Sequence, residues 1–125
     1  MFADKFSPLI SSFPQDADAL RRVAGYFVGI EERHGNGVFK VKLDPKRLFD
    51  ISQAGSATRL ARIIKILIDG HILQRRIVVR SPLGGGIEFR SYADLPEIIR
   101  DPLRDVDMEV TVENTEPIYV VAVDE

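Results

Sequence analysis

The stretch from Leu43 to Pro82 reads LDPKRLFDISQAGSATRLARIIKILIDGHILQRRIVVRSP and decides the fold class. It begins at the end of an alternating strand, passes through two short helices joined by a tight turn, and ends in a basic strand that enters a glycine loop. Asp44-Pro45 is a typical helix start, and Ser56 is a favourable N-cap for the second helix. This order of elements predicts a mixed α+β domain.

The clearest prediction within this stretch is an amphipathic helix from Ser56 to Asp69. Its apolar residues recur at helical spacing and are expected to face the core: Ala57, Leu60, Ile63, Ile64, Leu67 and Ile68. The polar side chains of Thr58, Arg59, Arg62 and Lys65 fall on the opposite arc, which covers about 120°. Gly70 is expected to take the left-handed conformation that ends the helix.

Residues 72–92 predict a β-hairpin after this helix. Ile72 to Val79 is rich in β-branched residues, and Arg75, Arg76 and Arg80 lie along it or just beyond it. A glycine turn follows, and Ile87 to Tyr92 returns as the second strand. With the two preceding helices, the hairpin predicts a winged helix-turn-helix over residues 16–92, in which the hairpin is the wing.

The sequence pattern before Leu43 predicts an N-terminal arm, a helix and a strand. Residues 1–15 lack a clear period and are interpreted as an N-terminal arm. Pro14 and Asp16 then favour a helix start, and the helix is expected to end at the turn His34 to Gly37. Its apolar stripe consists of Leu20, Val23, Ala24, Phe27 and Val28. Alternation from Val38 to Leu43 predicts a strand with Phe39, Val41 and Leu43 inward.

Residues 93–125 predict a small antiparallel β extension that packs on the same domain. A short helix is expected around residues 95–99. Met108 to Val112 and Ile118 to Val123 are expected to pair with each other and complete the sheet. Pro117, at the start of the second strand, predicts an edge position because proline lacks a backbone donor.

The segment from Arg80 to Val121 resembles a zinc ribbon that has lost its metal. Ser81-Pro82-Leu83-Gly84 and Asp101-Pro102-Leu103-Arg104 stand where two metal-binding knuckles would be, with 16 residues between them. Together with the winged helix, this segment resembles bacterial proteins that join a winged helix to such an extension, which implies a module that docks DNA or protein. Ser81, Gly84, Asp101 and Arg104 do not supply the thiolate or imidazole ligands of a zinc site, so no metal is expected.

Composition indicates one soluble globular domain. Hydrophobic residues make up 45% of the 125 residues and charged residues 29%. No apolar run approaches the roughly 20 residues that span a bilayer, and no signal peptide is evident. The absence of cysteine excludes disulfides and fits a cytoplasmic protein.

Charge is unevenly distributed along the chain and leaves two functions open. Ser56 to Arg90 holds 7 basic and 2 acidic residues, whereas Ser91 to Glu125 holds 2 basic and 10 acidic residues. The basic segment favours DNA binding, while the acidic end would repel phosphate if it folds close by. A solvated surface with uneven charge explains the same pattern without any ligand.

The leading hypothesis is double-stranded DNA binding in transcription regulation, through the helix and the wing. The predicted DNA-binding residues are Ser56, Thr58, Arg59, Arg62, Lys65, Arg75, Arg76 and Arg80. Alanine at both Arg59 and Arg62 is expected to abolish DNA retention and leave thermal stability nearly unchanged. The alternative is a protein-interaction adaptor that uses the acidic C-terminal strands. A protein partner or a homodimer is expected in either case, because one small domain makes few phosphate contacts.

Catalysis and cofactor binding are not expected. His34 and His71 lie in or beside turns, and Gly84 to Gly86 lacks the lysine of a phosphate loop. The tightly spaced carboxylates of residues 101, 105 and 107 lack the rest of a calcium loop and are interpreted as a solvated turn.

Overall fold

The computed structural model describes residues 1–101 and 103–122 and shows a mixed α+β protein. Its helices and strands, in chain order, are α1 (Phe2–Ser12), α2 (Ala17–His34), β1 (Lys42–Leu43), α3 (Pro45–Ser52), α4 (Ala57–Asp69), β2 (Leu73–Arg80), β3 (Gly86–Phe89), β4 (Ile98–Arg100), β5 (Asp107–Glu109) and β6 (Thr115–Val121). Four 3-10 helices cover Pro14–Asp16, Gly35–Lys40, Tyr92–Asp94 and Val112–Asn114 in the same part of the chain. Pro102 of the second knuckle-like segment and the predicted end of the last strand, Val123, lie outside the described residues.

The chain forms two compact units that are not contiguous in sequence. Unit 1 consists of Met1–Gln74 and the described residues from Tyr119 onward, and unit 2 consists of Arg75–Ile118. The boundaries therefore fall inside β2 and β6, and not between residues 92 and 93 as the sequence pattern predicts. Strands β1, β6, β2 and β3 form a sheet in that order, and β4 and β5 form a separate two-stranded sheet.

The N-terminal residues are part of the unit 1 core and do not form an arm. Phe2 and Phe6 of α1 are fully buried, and the ring of Phe2 stacks on that of Phe27 in α2 at 5.3 Å between centroids. Pro8 lies inside α1 and interrupts the local helix signal. Burial of the two aromatic rings against α2 favours the helix in spite of this proline.

Helix α2 runs as expected, but the strand predicted after it is mostly a 3-10 helix. The left-handed Gly35, with φ of 55°, ends α2, and Gly35–Lys40 turns tightly. This turn places Val38 fully inside the core, whereas Phe39 and Val41 are half-buried. Only Lys42 and Leu43 remain to form β1.

Helices α3 and α4 begin where the sequence predicts. Asp44 caps α3 by accepting the Arg47 N–H at 2.7 Å, and Ser56 Oγ accepts the Arg59 N–H at 3.1 Å at the start of α4. The buried side chains of α4 are Ile63, Ile64, Ile66 and Leu67. Ala57 is exposed, because the first turn extends beyond the core.

The role predicted for Gly70 is wrong. Its φ is −82°, and the left-handed residue after α4 is His71, with φ of 59°. A Cβ atom on Gly70 would lie 2.8 Å from Leu9 Cδ1 of α1 and 3.1 Å from the Ile66 carbonyl oxygen. The missing side chain therefore lets α1 approach the end of α4.

The C-terminal strands pair differently from the prediction. The β2–β3 hairpin is antiparallel as expected, from Ile77 opposite Phe89 to Arg80 opposite Gly86. Strand β4 occupies part of the segment predicted as a short helix. Strand β5 pairs with β4, and β6 pairs with β1, so the two predicted strands do not pair with each other.

Strand β6 is not an edge strand, in spite of Pro117. It lies between β1 and β2 in the sheet order. In the β1 register, Leu43 faces Tyr119, so the position opposite Pro117 belongs to Pro45 at the start of α3. The proline is tolerated because β1 ends before reaching it.

Each unit has its own apolar core. The unit 1 core joins buried side chains of all four α-helices with those around β1 and the end of β6. The unit 2 core is small and consists of Val79, Ile99 and Met108, with Ile87, Phe89, Leu95 and Val110 packed against them. In the described part of the chain, no helix has the length and apolar character needed to cross a membrane.

Candidate nucleic-acid interface

A tight turn positions the predicted DNA-binding helix α4 in unit 1. Gln53, with φ of 52°, ends α3, and Gly55, with φ of 82°, redirects the chain into Ser56. Beyond this turn, Thr58, Arg62 and Lys65 are exposed at spacings of four and three residues. Such spacing places the three side chains on one face of the helix.

Two arginines of α4 bind a buried aspartate. The Asp16 side chain is only 2% exposed, and Arg62 Nη2 lies 2.6 Å from its Oδ2 atom. Arg59 Nε lies 3.9 Å from Asp16 Oδ1, and Arg59 Nη2 donates to the Gln15 carbonyl at 3.1 Å. Arg59 and Arg62 therefore stabilise the start of α2, although their side chains remain 43% and 52% exposed.

Asp16 lies at the start of α2, where the sequence predicts that the helix begins. It directly precedes α2, but its side chain accepts no cap hydrogen bond. Its Oδ1 atom has no hydrogen-bond partner among the described residues. The ion pairs with Arg59 and Arg62 therefore offset most of the free-energy cost of burying this carboxylate. The sequence contains no signal for this pairing, because the partners are more than forty residues apart.

Two of the three other predicted positions of this segment, Ser56 and Lys65, differ in availability. Ser56 uses its hydroxyl to cap the helix. Lys65 Nζ lies 3.0 Å from Asp69 Oδ2, but both side chains are mostly exposed, at 76% and 63%. An exposed pair of this kind contributes little and exchanges readily for another anion.

The three arginines along β2 do not line one surface of unit 2. Side chains alternate between the two faces of a strand, so Arg76 and Arg80 share a face and Arg75 lies on the other. Arg80 is paired with Glu116, with 2.5 Å between Nη2 and Oε1. This pairing neutralises part of the positive charge that the sequence assigns to the wing.

A buried polar link connects the two knuckle-like segments of unit 2. Ser81 Oγ donates to Asp101 Oδ2 at 2.9 Å, and Arg104 Nε donates to the same atom at 2.5 Å. Asp101 Oδ1 accepts the N–H groups of Leu103 and Arg104 at 2.9 and 3.2 Å. Asp101 is fully buried, so its interpretation as part of a solvated turn is wrong.

These contacts change the acidity of Asp101. Burial alone would raise its pKa, but hydrogen bonds from Arg104, from the Leu103 backbone and from Ser81 favour the ionised form. The result is a pKa of about 2. The carboxylate therefore stays charged inside unit 2 over nearly the whole acid range.

Unit 2 is expected to lose stability between about pH 4 and pH 2. The pKa of Asp101 in the folded protein is below the ordinary value of about 3.9, so the carboxylate stabilises the fold above that value and loses this effect as pH falls toward 2. Thermal melts monitored at the Met108 methyl resonance should show Asp101→Asn less stable than wild type at pH 7. The difference should shrink below pH 4.

The exposed carboxylate of Asp94 supplies the matched control for this titration. Asp94→Asn should melt like the wild type at both ends of the pH range. A constant difference between wild type and Asp101→Asn from pH 7 to pH 2 would show that ionisation of Asp101 does not stabilise unit 2.

The remaining candidates for chemistry are dispersed. Asp105 and Asp107 accept hydrogen bonds from Arg100 at 3.0 and 3.4 Å, which raises the pKa of the arginine. His34 and His71 are exposed. Across residues 1–101 and 103–122, no three His, Cys, Asp or Glu side chains are grouped so as to hold a metal ion.

Comparison with protein-family models, curated proteins and solved structures found no match. A function is therefore supported only by the geometry of each unit. In unit 1 this is the exposed face of α4, and in unit 2 it is a set of exposed apolar and acidic side chains.

Proposed function

We propose that this chain is a winged-helix module that binds double-stranded DNA through α4. The observation that supports this function is the exposed face formed by Thr58, Arg62 and Lys65 immediately after a tight helix–helix turn. In helix-turn-helix modules, the first residues of the second helix reach base edges in the major groove. Arginine and lysine contact guanine or phosphate, and threonine contacts bases or phosphate.

The order of the elements supports the winged-helix interpretation. Helix α2, strand β1, helices α3 and α4, and strand β2 follow in the expected sequence. In the sheet order, β6 stands between β1 and β2. This order supports an interpretation in which β6 acts as the returning strand and residues 81–114 are an enlarged wing. The contact between Ser81 and Asp101, the first positions of the two knuckle-like segments, supports the ribbon-like character of this insertion.

Asp16 prepares Arg62 for binding while it neutralises part of its charge. The guanidinium group is anchored on one side by the buried carboxylate and is still half exposed. An anchored side chain loses less conformational freedom when it binds a second anion. Because few basic groups face outward on α4, stable binding to a duplex is expected to require a dimer or a larger assembly.

Lys65→Glu is expected to weaken DNA retention about tenfold at low salt, because it replaces a phosphate-binding charge with a repulsive one. Its effect on thermal stability should be small, since Lys65 is 76% exposed. Fluorescence anisotropy with a labelled random-sequence duplex at two salt concentrations measures the change.

The matched control for this experiment is Lys40→Glu, which makes the same charge change at an exposed lysine outside α4. DNA affinity equal in the two variants would show that α4 is not the binding element. No retention of the wild-type protein at either salt concentration would exclude DNA binding itself.

A protein-docking function is the second candidate, and the surface composition of unit 2 favours it. Large apolar side chains are 45% to 87% exposed at Leu83, Tyr92, Ile98, Leu103, Val106 and Val112. Exposed apolar groups beside charged ones are typical of protein interaction sites. If the wild-type protein retains no DNA, protein docking becomes the better-supported function of this chain.

A further inference from the structure

The outer edge of β4 offers unpaired backbone groups. The Val110 N–H donates to the Glu97 carbonyl at 2.8 Å, and the Asp101 N–H donates to the Val106 carbonyl at 2.7 Å. In an antiparallel pair, hydrogen-bonded and non-hydrogen-bonded positions alternate. The N–H and C=O groups of Ile98 and Arg100 therefore point away from β5, and the described residues place no further strand on that side.

The opposite edge of this small sheet is covered in part by a side chain. The Asn114 Nδ2 group donates to the Glu109 carbonyl at 2.7 Å, and Asn114 Oδ1 accepts the Thr111 N–H at 2.8 Å. The side chain thereby occupies the outward-facing carbonyl of β5. Among the described residues, a side chain covers part of the β5 edge, whereas no hydrogen bond covers the backbone groups of the β4 edge, which is therefore the better site for pairing with another strand.

The exposed face beside this edge is both apolar and acidic. Ile98 is 59% exposed, while its neighbour Ile99 points into the unit 2 core. Glu97, Asp107 and Glu109 line a shallow cavity of about 590 Å³ together with Ile98 and Val110. Asp107 is held by Arg100, whereas Glu97 and Glu109 have no basic partner among the described residues.

We propose that the β4 edge binds an extended peptide of a partner protein in which lysine or arginine alternates with apolar residues. The peptide backbone pairs with the outward groups of Ile98 and Arg100 and adds a third strand. Its basic side chains lie on the face that carries Ile98 and Glu109, where their methylene groups cover Ile98 and their charged groups meet the carboxylates of Glu97 and Glu109. Its apolar side chains lie on the opposite face, beside Ile99. This inference rests on the docking function and is independent of DNA binding by α4.

Charge selects this partner over a second copy of the chain and over nucleic acid. Residues 91–118 contain two arginines and eight carboxylates, and both arginines are already bound to aspartates. A second copy would bring two acidic surfaces together, and a nucleic acid would add phosphates to them. A basic strand removes the repulsion and covers the exposed isoleucine.

The test uses the full chain and a fluorescein-labelled peptide that alternates lysine and valine. Anisotropy should show saturable binding, and the amide signals of Ile98 and Arg100 should shift and exchange more slowly with solvent. Ile98→Pro removes the outward donor and should reduce affinity at least tenfold, because an edge strand tolerates proline whereas an added strand needs that donor. Glu97→Lys combined with Glu109→Lys should abolish binding even if the proline variant is unstable.

Three controls separate strand addition from nonspecific attraction. A peptide that alternates lysine and proline has the same charge but cannot pair, and a peptide that alternates glutamate and valine can pair but is repelled; neither should bind. Glu113→Lys changes an exposed carboxylate outside the edge and should bind the lysine–valine peptide at least as well as the wild type.

Equal binding of the lysine–valine and lysine–proline peptides would overturn the strand-addition proposal, as would unchanged affinity in a folded Ile98→Pro protein. Ile98→Pro should also retain wild-type DNA binding. If the wild-type protein binds DNA but not the lysine–valine peptide, the proposal for β4 is wrong and the DNA-binding proposal for α4 stands. If the wild-type protein binds the peptide but not DNA, the DNA-binding proposal is wrong and the β4 proposal stands.

Discussion

Alanine at both Arg59 and Arg62 is expected to lower the free energy of unfolding by about 3 kcal/mol, because a buried charge loses its partners. Asp16 is 2% exposed, and its Oδ1 atom has no hydrogen-bond partner in the described structure. The arginines are half exposed, which places the effect at the lower end of values for buried pairs. All four α-helices belong to unit 1, so denaturant unfolding followed by helical ellipticity measures it directly.

Two further variants test whether the loss comes from the aspartate. Adding Asp16→Ala to the double variant should restore part of the stability, since no buried carboxylate is then left without a cation. Arg21→Ala removes one member of an exposed pair with Asp18 at 3.0 Å and should change stability by less than about 0.5 kcal/mol. A double variant as stable as the wild type would contradict the buried pairing.

This expected loss of stability differs from the expectation based on sequence, in which the same double substitution abolishes DNA retention and leaves thermal stability nearly unchanged. Loss of DNA retention in that variant would not separate a lost contact from a damaged fold. Lys65→Glu avoids the difficulty, because the ion-pair partner of Lys65 within the described residues is an exposed carboxylate on the same helix.

Phe2→Ala is expected to lower the free energy of unfolding by about 3 to 5 kcal/mol, the range for replacing a buried phenylalanine with alanine. Phe2 is fully buried, stacks on Phe27 at 5.3 Å and lies 6.2 Å from the ring of Phe39. Its loss would leave a cavity between α1 and α2 that rigid neighbours fill only in part. Chemical denaturation followed by circular dichroism gives the value.

The control for this prediction is Asp4→Ala, at an exposed position of the same helix. It should leave the midpoint of unfolding nearly unchanged. Equal stability of Phe2→Ala and wild type would mean that residues 1–15 behave as the loose arm suggested by their sequence, and not as the helix of the structure.

Local signals account for the part of the fold that sequence predicts well. Asp44 and Ser56 cap the helices that they precede, and the apolar period of α4 marks its buried face. Each of these signals is contained within a few neighbouring residues. The β2–β3 hairpin is likewise closed by a short turn.

Long-range pairings account for what sequence does not predict. Nothing near Thr115–Val121 indicates that β6 joins β1, because the register is set by strands far apart in the chain. The same is true of the candidate site. Periodicity places Arg59 and Arg62 on the polar arc of α4, but only the fold brings Asp16 beside them.

The division of unit 1 around unit 2 has a consequence for synthesis of the chain. Leu43 pairs with Tyr119, and Tyr119 and Val121 supply buried side chains to the unit 1 core. During translation, the helices of unit 1 are synthesised before β6. Until β6 is synthesised, the unit 1 core is incomplete and β1 lacks its pairing strand. The inserted unit 2, which is contiguous from Arg75 to Ile118, is free to fold first. Its folding shortens the loop that must close before the first half of the chain acquires its last strand.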